Sequence, residues 1–295
     1  MGDEILVSLP SRDNEFQTLQ AEDAQETASR LGLEVRIEYA DGSALQQIQQ
    51  LFKHIHGGDP PQAIVAEPVA FEGVRRVAQK ATATGVGWCI LNCTADYIEP
   101  LRQQYPEIPI FAVGSDQTQI GRLQGRQIRA LLPSGGTVLY VQGPPASVAA
   151  QERLRGAEEE LSAAGIDPTI LDADWSEDSA EQAVRSWLRL KINARMDLVA
   201  CQDDAMARGA SRAVQDLAGS AWDGVPFLGI DGVPSVGQKL VSEGMLTATV
   251  IQPSNTGPAL EALAEWKKSG TSPPAWLKLP VESFPLLSEL RPRSG

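Results

Sequence analysis

Short apolar runs alternate with helical stretches along almost the whole chain, and this rhythm restricts the fold more than any other feature. Leu198-Val199-Ala200-Cys201 is one instance, four apolar residues of the length a buried parallel strand needs. From Asp204 the pattern changes to helical spacing, with Ala205, Met206, Gly209, Ala210 and Ala213 on one side. The same strand signal recurs at 4–9, 34–39, 63–66, 87–92 and 110–113, and again at 137–142, 169–173, 198–201, 227–230 and 247–251. Helices are expected between them, over 16–31, 44–56, 71–84, 118–132, 147–164, 179–191, 204–217, 233–243 and 256–269. The first has Phe16, Leu19, Ala24, Thr27, Ala28 and Leu31 on its inner face and stops at Gly32. Such alternation yields parallel sheets with helices on both faces. The strands are too many for one comfortable sheet, and the pattern restarts near residue 115. Two doubly wound α/β lobes are the natural solution. The tail, 271–295, is punctuated by five prolines and is expected to hold at most one strand.

The totals narrow the partners. A chain of 295 residues, 42% hydrophobic, can bury a full core in each of two domains. Its formal charge of −13 argues against nucleic acid, whose phosphates reward Lys and Arg. No uninterrupted apolar window of about 18 residues is present, so no membrane insertion is expected. Residues 1–15 lack the basic start and apolar core of a secretory signal, which leaves open a cytoplasmic protein or a periplasmic one whose signal was removed. Three cysteines do not suggest a disulfide framework. Cys89 and Cys93 lie on one expected strand, roughly 13 Å apart at about 3.3 Å per residue, too far to bridge. Cys89 and Cys201 read as small buried apolar residues. His54 and His56, two apart in an expected helix, point to different faces and suggest no metal site.

In open α/β sheets, ligand groups stand just past the carboxyl ends of the strands. The first strand is followed by Asp13, Asn14 and Phe16, and the fourth ends at Asn92. The strand at 137–142 leads to Gly143-Pro144-Pro145 and, a little into its helix, to Arg153. Trp175 follows the strand at 169–173, Asp203 the next, Asp231 the one after, and Gln252 the last. Of the adjacent pair, Asp204 is expected to cap its helix and Asp203 to face a ligand. Asp, Asn and Arg engage vicinal hydroxyls in pairs, and an aromatic ring packs on the apolar face of a sugar. Plainer roles remain open: Trp175 as a packing residue, Arg153 paired with glutamates of its own helix, Asp231 as a backbone brace in Gly229-Ile230-Asp231-Gly232. Trp187 reads as core.

Enzyme signatures are missing. No G-x-G-x-x-G follows the first strand, and neither a phosphate-binding G-x-x-x-x-G-K-[ST] loop nor a G-x-S-x-G elbow occurs. Only two histidines are available as general bases, both in a peripheral helix. Binding is favoured over catalysis, and no cofactor is expected.

Several motifs in order carry a resemblance. Val113-Gly114-Ser115-Asp116, Gly121-Arg122, Gly125, Gln142-Gly143-Pro144, Ala149-Ala150-Gln151-Glu152-Arg153 and Gly156 resemble the type I periplasmic sugar-binding proteins. So do Gln202-Asp203-Asp204-Ala205-Met206-Ala207, Gly229-Ile230-Asp231-Gly232 and Leu246-Thr247-Ala248-Thr249-Val250-Ile251-Gln252. The likeness covers about residues 4–285 and extends to ribose-binding-like receptors and the ligand-binding core of LacI-type repressors. It implies two lobes, 1–114 with 253–280 and 115–252 with 281–295, joined by a three-segment hinge near Ser115, Gln252 and Pro280. A sugar or polyol would bind between them, held by Asp13, Phe16, Asn92, Arg153, Trp175, Asp203, Asp231 and Gln252. An ABC transporter permease or a sensor would then read the closed form. The alternative is a cytoplasmic sugar-sensing effector domain of a LacI-like regulator. Asp13 and Asp203 stand where ribose-type members often have Asn, Glu15 where they often have an aromatic, and Asn92-Cys93 replaces their usual Asp-Arg pair. A different polyol, an amino sugar or another cationic ligand fits these departures.

Overall fold

The computed structural model describes residues 4–71, 73–191, 194–217 and 219–292. In chain order the elements are β1 (Glu4–Leu9), α1 (Glu15–Leu31), β2 (Glu34–Tyr39), α2 (Ala44–His56), β3 (Ala63–Ala66), α3 (Val74–Ala83), β4 (Gly87–Leu91), α4 (Ile98–Gln104) and β5 (Ile110–Ser115). There follow α5 (Gln117–Leu131), β6 (Val138–Gln142), α6 (Val148–Ser162), β7 (Thr169–Asp172), α7 (Glu177–Leu190), β8 (Leu198–Cys201), α8 (Asp204–Leu217) and β9 (Phe227–Asp231). The last are α9 (Lys239–Ser242), β10 (Ala248–Ile251), α10 (Thr256–Ser269), β11 (Trp276–Leu279) and β12 (Glu282–Phe284). Two compact units result: residues up to Ser115 with Ser254–Leu279, and Asp116–Pro253 with the chain from Pro280 onward.

The first unit holds a sheet in the order β2-β1-β3-β4-β5-β11, parallel throughout. Its central strands are apolar at every position because alternate side chains feed different cores. Ala63 and Val65 of β3 pack with α1 and α10, while Ile64 and Ala66 pack with α2, α3 and α4. Asn14 starts α1 by accepting the N–H groups of Phe16 and Gln17, and Gly32 ends it at φ 68°.

The second unit repeats the plan with the order β7-β6-β8-β9-β10-β12. Five strands are parallel, and β12 runs antiparallel to β10 at the edge. In each unit the chain first winds to one side of a strand and then to the other. The switch lies between β1 and β3 in the first sheet and between β6 and β8 in the second. At such points the connections at the strand carboxyl ends diverge and leave room for a ligand.

Four local expectations are corrected. The tail contributes two strands, β11 and β12, one to each sheet, because edge strands tolerate the prolines that bound them. The stretch 98–104, given no element in the expected series, is helical; its Pro100 sits in the first turn, where the missing N–H costs nothing. The stretch 233–243 is a π-helical turn, Pro234–Gln238, followed by the short α9. Helix α3 begins only at Val74, after Gly73 at φ 84°; Glu72, within the expected helix, lies outside the described residues.

Candidate functional site

In the second unit the side chains past the strand ends are joined around Arg153, which projects from α6 and is 3% exposed. Its Nε donates to Gln117 Oε1 at 2.8 Å and its Nη1 to the backbone carbonyl of Gln202 at 2.5 Å. Nη2 lies 3.7 Å from Asp231 Oδ1, and the guanidinium carbon is 5.5 Å from the centroid of the Trp175 ring. Asp231 also accepts the side-chain amide of Gln252 at 2.7 Å. Charge-assisted bonds to a planar fork fix orientation as well as position, so Arg153 is held before any ligand arrives.

Small residues make this assembly possible. An ideal Cβ on Gly121 of α5 would come within 1.9 Å of the Arg153 carbonyl oxygen, and one on Gly156 within 2.1 Å of the Thr118 carbonyl. Helices α5 and α6 therefore close to a distance at which Gln117 reaches the guanidinium. A Cβ on Gly143 would lie 2.3 Å from the Trp175 ring, so the indole lies directly on this glycine.

Of the two adjacent aspartates it is Asp203 that caps the helix, the role expected of Asp204. Asp203 Oδ1 accepts the Met206 N–H at 2.6 Å, the bond an N-cap makes to the third residue of its helix. Asp204 occupies the first helical position and turns inward, accepting Thr249 Oγ1 at 2.7 Å and the Gly232 N–H at 2.8 Å. Burial, with the nearby charge of Asp231 adding to it, pushes the Asp204 carboxyl well above the usual carboxylate range. Burial likewise raises the Cys201 thiol and the Tyr140 hydroxyl. Tyr140 accepts from Gln202 Nε2, and Gln202 Oε1 takes the Gly143 N–H at 3.0 Å, bracing β6 against β8 at the switch point.

The first unit gathers a different set. Asn92, just past β4, donates its amide to Glu67 Oε1 at 3.1 Å. The other carboxylate oxygen of Glu67 accepts the Gln20 amide, and Gln20 Oε1 accepts the Asn255 N–H at 2.7 Å. Gln47 donates to the Glu67 carbonyl at 2.7 Å and to Ser8 Oγ at 3.1 Å, tying the ends of β1 and β3 together. Phe16 is buried in the first turn of α1, whereas Asp13 is exposed on the preceding connection and lies outside this hydrogen-bonded chain.

Among the expected residues, Arg153, Trp175, Asp231 and Gln252 thus form one array, Asp203 sits beside it as a cap, and Asn92 belongs to the Glu67 chain. Glu67 was missed by sequence reasoning, although it follows β3 directly, at the switch point. Gln20, Gln117 and Gln202 carry no local signal that separates them from surface glutamines. A further mark is conformational. Asp41, Asn92, Trp175 and Asp231 are the non-glycine residues with positive φ among those described, the last three at 60°, 67° and 99°. Residues held in this region cluster where function fixes the backbone.

Strand-end chemistry of this kind, carried on two doubly wound sheets, places the molecule in the class of two-lobed α/β binding proteins. The chain belongs to the family described as the periplasmic binding protein domain, which it matches over residues 5–260. It is 27% identical, over 84% of its own length and 78% of the relative's, to a Rhizobium meliloti protein assigned to rhizopine binding. It is 24% identical to a galactofuranose-binding protein of Escherichia coli, over 85% of this chain and 77% of that one. A Caulobacter myo-inositol binding protein, solved with myo-inositol, shares the fold with a TM-score of 0.82 at 22% identity, covering 97% of this chain and 95% of the other. These relatives are binding proteins rather than enzymes. No helix among the described residues is long and apolar enough to cross a membrane.

Proposed function

We propose that this chain is a solute receptor for a small sugar or polyol. The observation that carries the reading is the Arg153–Trp175–Asp231–Gln252 array, a buried fork, a flat ring and amide-braced carboxylate at strand ends. Such groups pair with vicinal hydroxyls while the ring covers a C–H face. Asn92 and Phe16, with Glu67 added to them, supply the first unit's contacts, and Asp203 flanks the array in the second. Asp13, exposed on its loop, is the weakest member of the set. Ligand contacts supplied by both units favour the arrangement in which both reach it, so binding drives closure. Micromolar affinity corresponds to about −8 kcal/mol in total, part of it used in closing.

Relatives include ribose import binding proteins and solute binding proteins of ABC transporters, which favours this role over the effector domain of a LacI-like regulator. The same kinship supports an extracytoplasmic setting and delivery to an ABC transporter permease. Calorimetry against a panel of sugars and polyols tests the reading. Binding is expected for the wild-type chain and lost in the double variant Arg153→Ala, Asp231→Ala. Undiminished binding by that variant overturns the assigned site.

A further inference from the structure

The turn that follows β9 is held by more bonds than its length requires. Asp231 stands at φ 99° and Gly232 at φ 58°. The peptide that joins them is pinned at both ends. Its carbonyl accepts the Gln252 N–H at 3.1 Å, and its N–H donates to Asp204 Oδ2 at 2.8 Å. The next carbonyl, that of Gly232, accepts the side-chain amide of Gln238 at 2.8 Å. A non-glycine residue at positive φ persists where its surroundings over-determine it, and these bonds on two successive peptides do so here.

Gln238 reaches back to Gly232 because the chain ahead of it is wound as a π-helix. Over Pro234–Gln238 the Gln238 N–H bonds to the Val233 carbonyl at 3.3 Å, where an α-turn would bring Gly237 instead. The wider turn also lays Gly237 on the Asp204 carboxylate: a Cβ built on it would lie 1.9 Å from Oδ2. The helix that follows, α9, is four residues long, so the π-turn extends no long element. Single π-turns recur at functional sites. We infer that this π-helical turn is a positioning element of the ligand site, and that Gln238, by holding the Gly232 carbonyl, aims the Asp231 carboxylate. The inference rests on Asp231 belonging to a sugar or polyol site.

The test is calorimetric titration with D-ribose, D-galactose, xylitol and myo-inositol, using the one that the wild-type chain binds most tightly, on variants whose thermal melts show them folded. Gln238→Met and Gln238→Ala remove the donor and are each expected to weaken binding about fivefold or more, the worth of one hydrogen bond. Gln238→Lys supplies a donor at similar reach and should bind within about twofold of wild type. Gly209→Ala disturbs α7 against α8 away from this turn. It controls for lost stability and should leave affinity unchanged. Undiminished binding by the Met and Ala variants overturns the inference and leaves the polyol reading standing. A Lys variant as weak as they are, or an equal loss in Gly209→Ala, does the same. Failure of every probe to bind, or undiminished binding by Asp231→Ala, overturns both.

Discussion

Asp204 accepts the backbone N–H of Gly232 at 2.8 Å, and this bond fixes the turn in which Asp231 is held at φ 99°. The carboxylate of Asp204 thus acts as a brace for that of Asp231, which belongs to the proposed site. Cβ atoms built on Gly229 and Gly237 would lie 2.1 and 1.9 Å from the Asp204 oxygens, so the carboxylate packs directly on these two glycines.

Asp204→Ala is expected to cost about 2–4 kcal/mol, since it leaves the Gly232 N–H and the Thr249 hydroxyl buried without their acceptor. Asp204→Asn keeps an acceptor for Gly232 and turns its amide toward the Thr249 hydroxyl, which can accept. The folded chain holds the Asp204 proton more tightly than the unfolded chain does. Its contribution is therefore complete below pH of about 4 and declines as pH rises toward the raised value. Asparagine has no such slope. Urea unfolding between pH 4 and 8 should show the stability difference moving steadily in favour of Asp204→Asn, and a constant difference refutes the shift.

Glycines at three contacts give a second prediction, because they separate stability from binding. Gly209→Ala places a Cβ 2.0 Å from the Glu177 carbonyl where α7 meets α8, away from the Arg153 array, and should cost about 1–3 kcal/mol with little change in affinity. Gly121→Ala pushes α5 off α6 and should lower both stability and affinity. Gly143→Ala collides with the Trp175 ring, whose edge can move, so affinity should fall at least tenfold while the melting temperature changes less. Equal effects of all three on binding would dissolve the distinction.

Much of this was legible in the sequence. The period of alternation gave ten of the strands, since a strand buried on both faces is apolar at every position and β8, β9 and β4 stand out as runs. Position at or just past the strand ends singles out Arg153, Trp175, Asp231 and Gln252 without knowledge of their contacts. What escaped depends on three dimensions. A cap and a buried brace look alike at adjacent aspartates, because only the direction of each side chain separates Asp203 from Asp204. Gln20 and Gln117 lie in helices among other glutamines, and their roles come from partners distant in the chain, Glu67 and Asn255 for the one and Arg153 for the other. Strand β12 is three residues long, bounded by prolines, and paired with a strand more than thirty residues away.

Asn92 supplies a third prediction, through its backbone at φ 60°. Asn tolerates this region better than other residues with a Cβ, and Gly adopts it freely. Asn92→Ala should therefore cost about 1 kcal/mol more in stability than Asn92→Gly. Both remove the amide donor to Glu67, so both should weaken ligand binding to a similar degree. Chemical unfolding and calorimetry on the pair measure the two effects separately; a larger loss of stability in the Gly variant contradicts the backbone argument.

The final prediction concerns why position 153 requires arginine rather than positive charge. The guanidinium donates at once to Gln117 Oε1 through Nε and to the Gln202 carbonyl through Nη1, with Nη2 turned toward Asp231 and the plane set over Trp175. A lysine ammonium is a compact point charge on a flexible stem and cannot hold these directions together. Arg153→Lys should weaken the best-bound ligand of the panel at least tenfold, and Arg153→Ala on the order of a hundredfold or more, because truncation also removes the cation that faces the negative charge of Asp231. Combining Arg153→Ala with Asp231→Asn removes that charge as well. Its loss of affinity should then be smaller than the sum of the two single losses, in units of free energy, by about 0.5–3 kcal/mol. A strictly additive pair would mean that the 3.7 Å approach of the two side chains carries no energy, and the array would have to be reassigned without it.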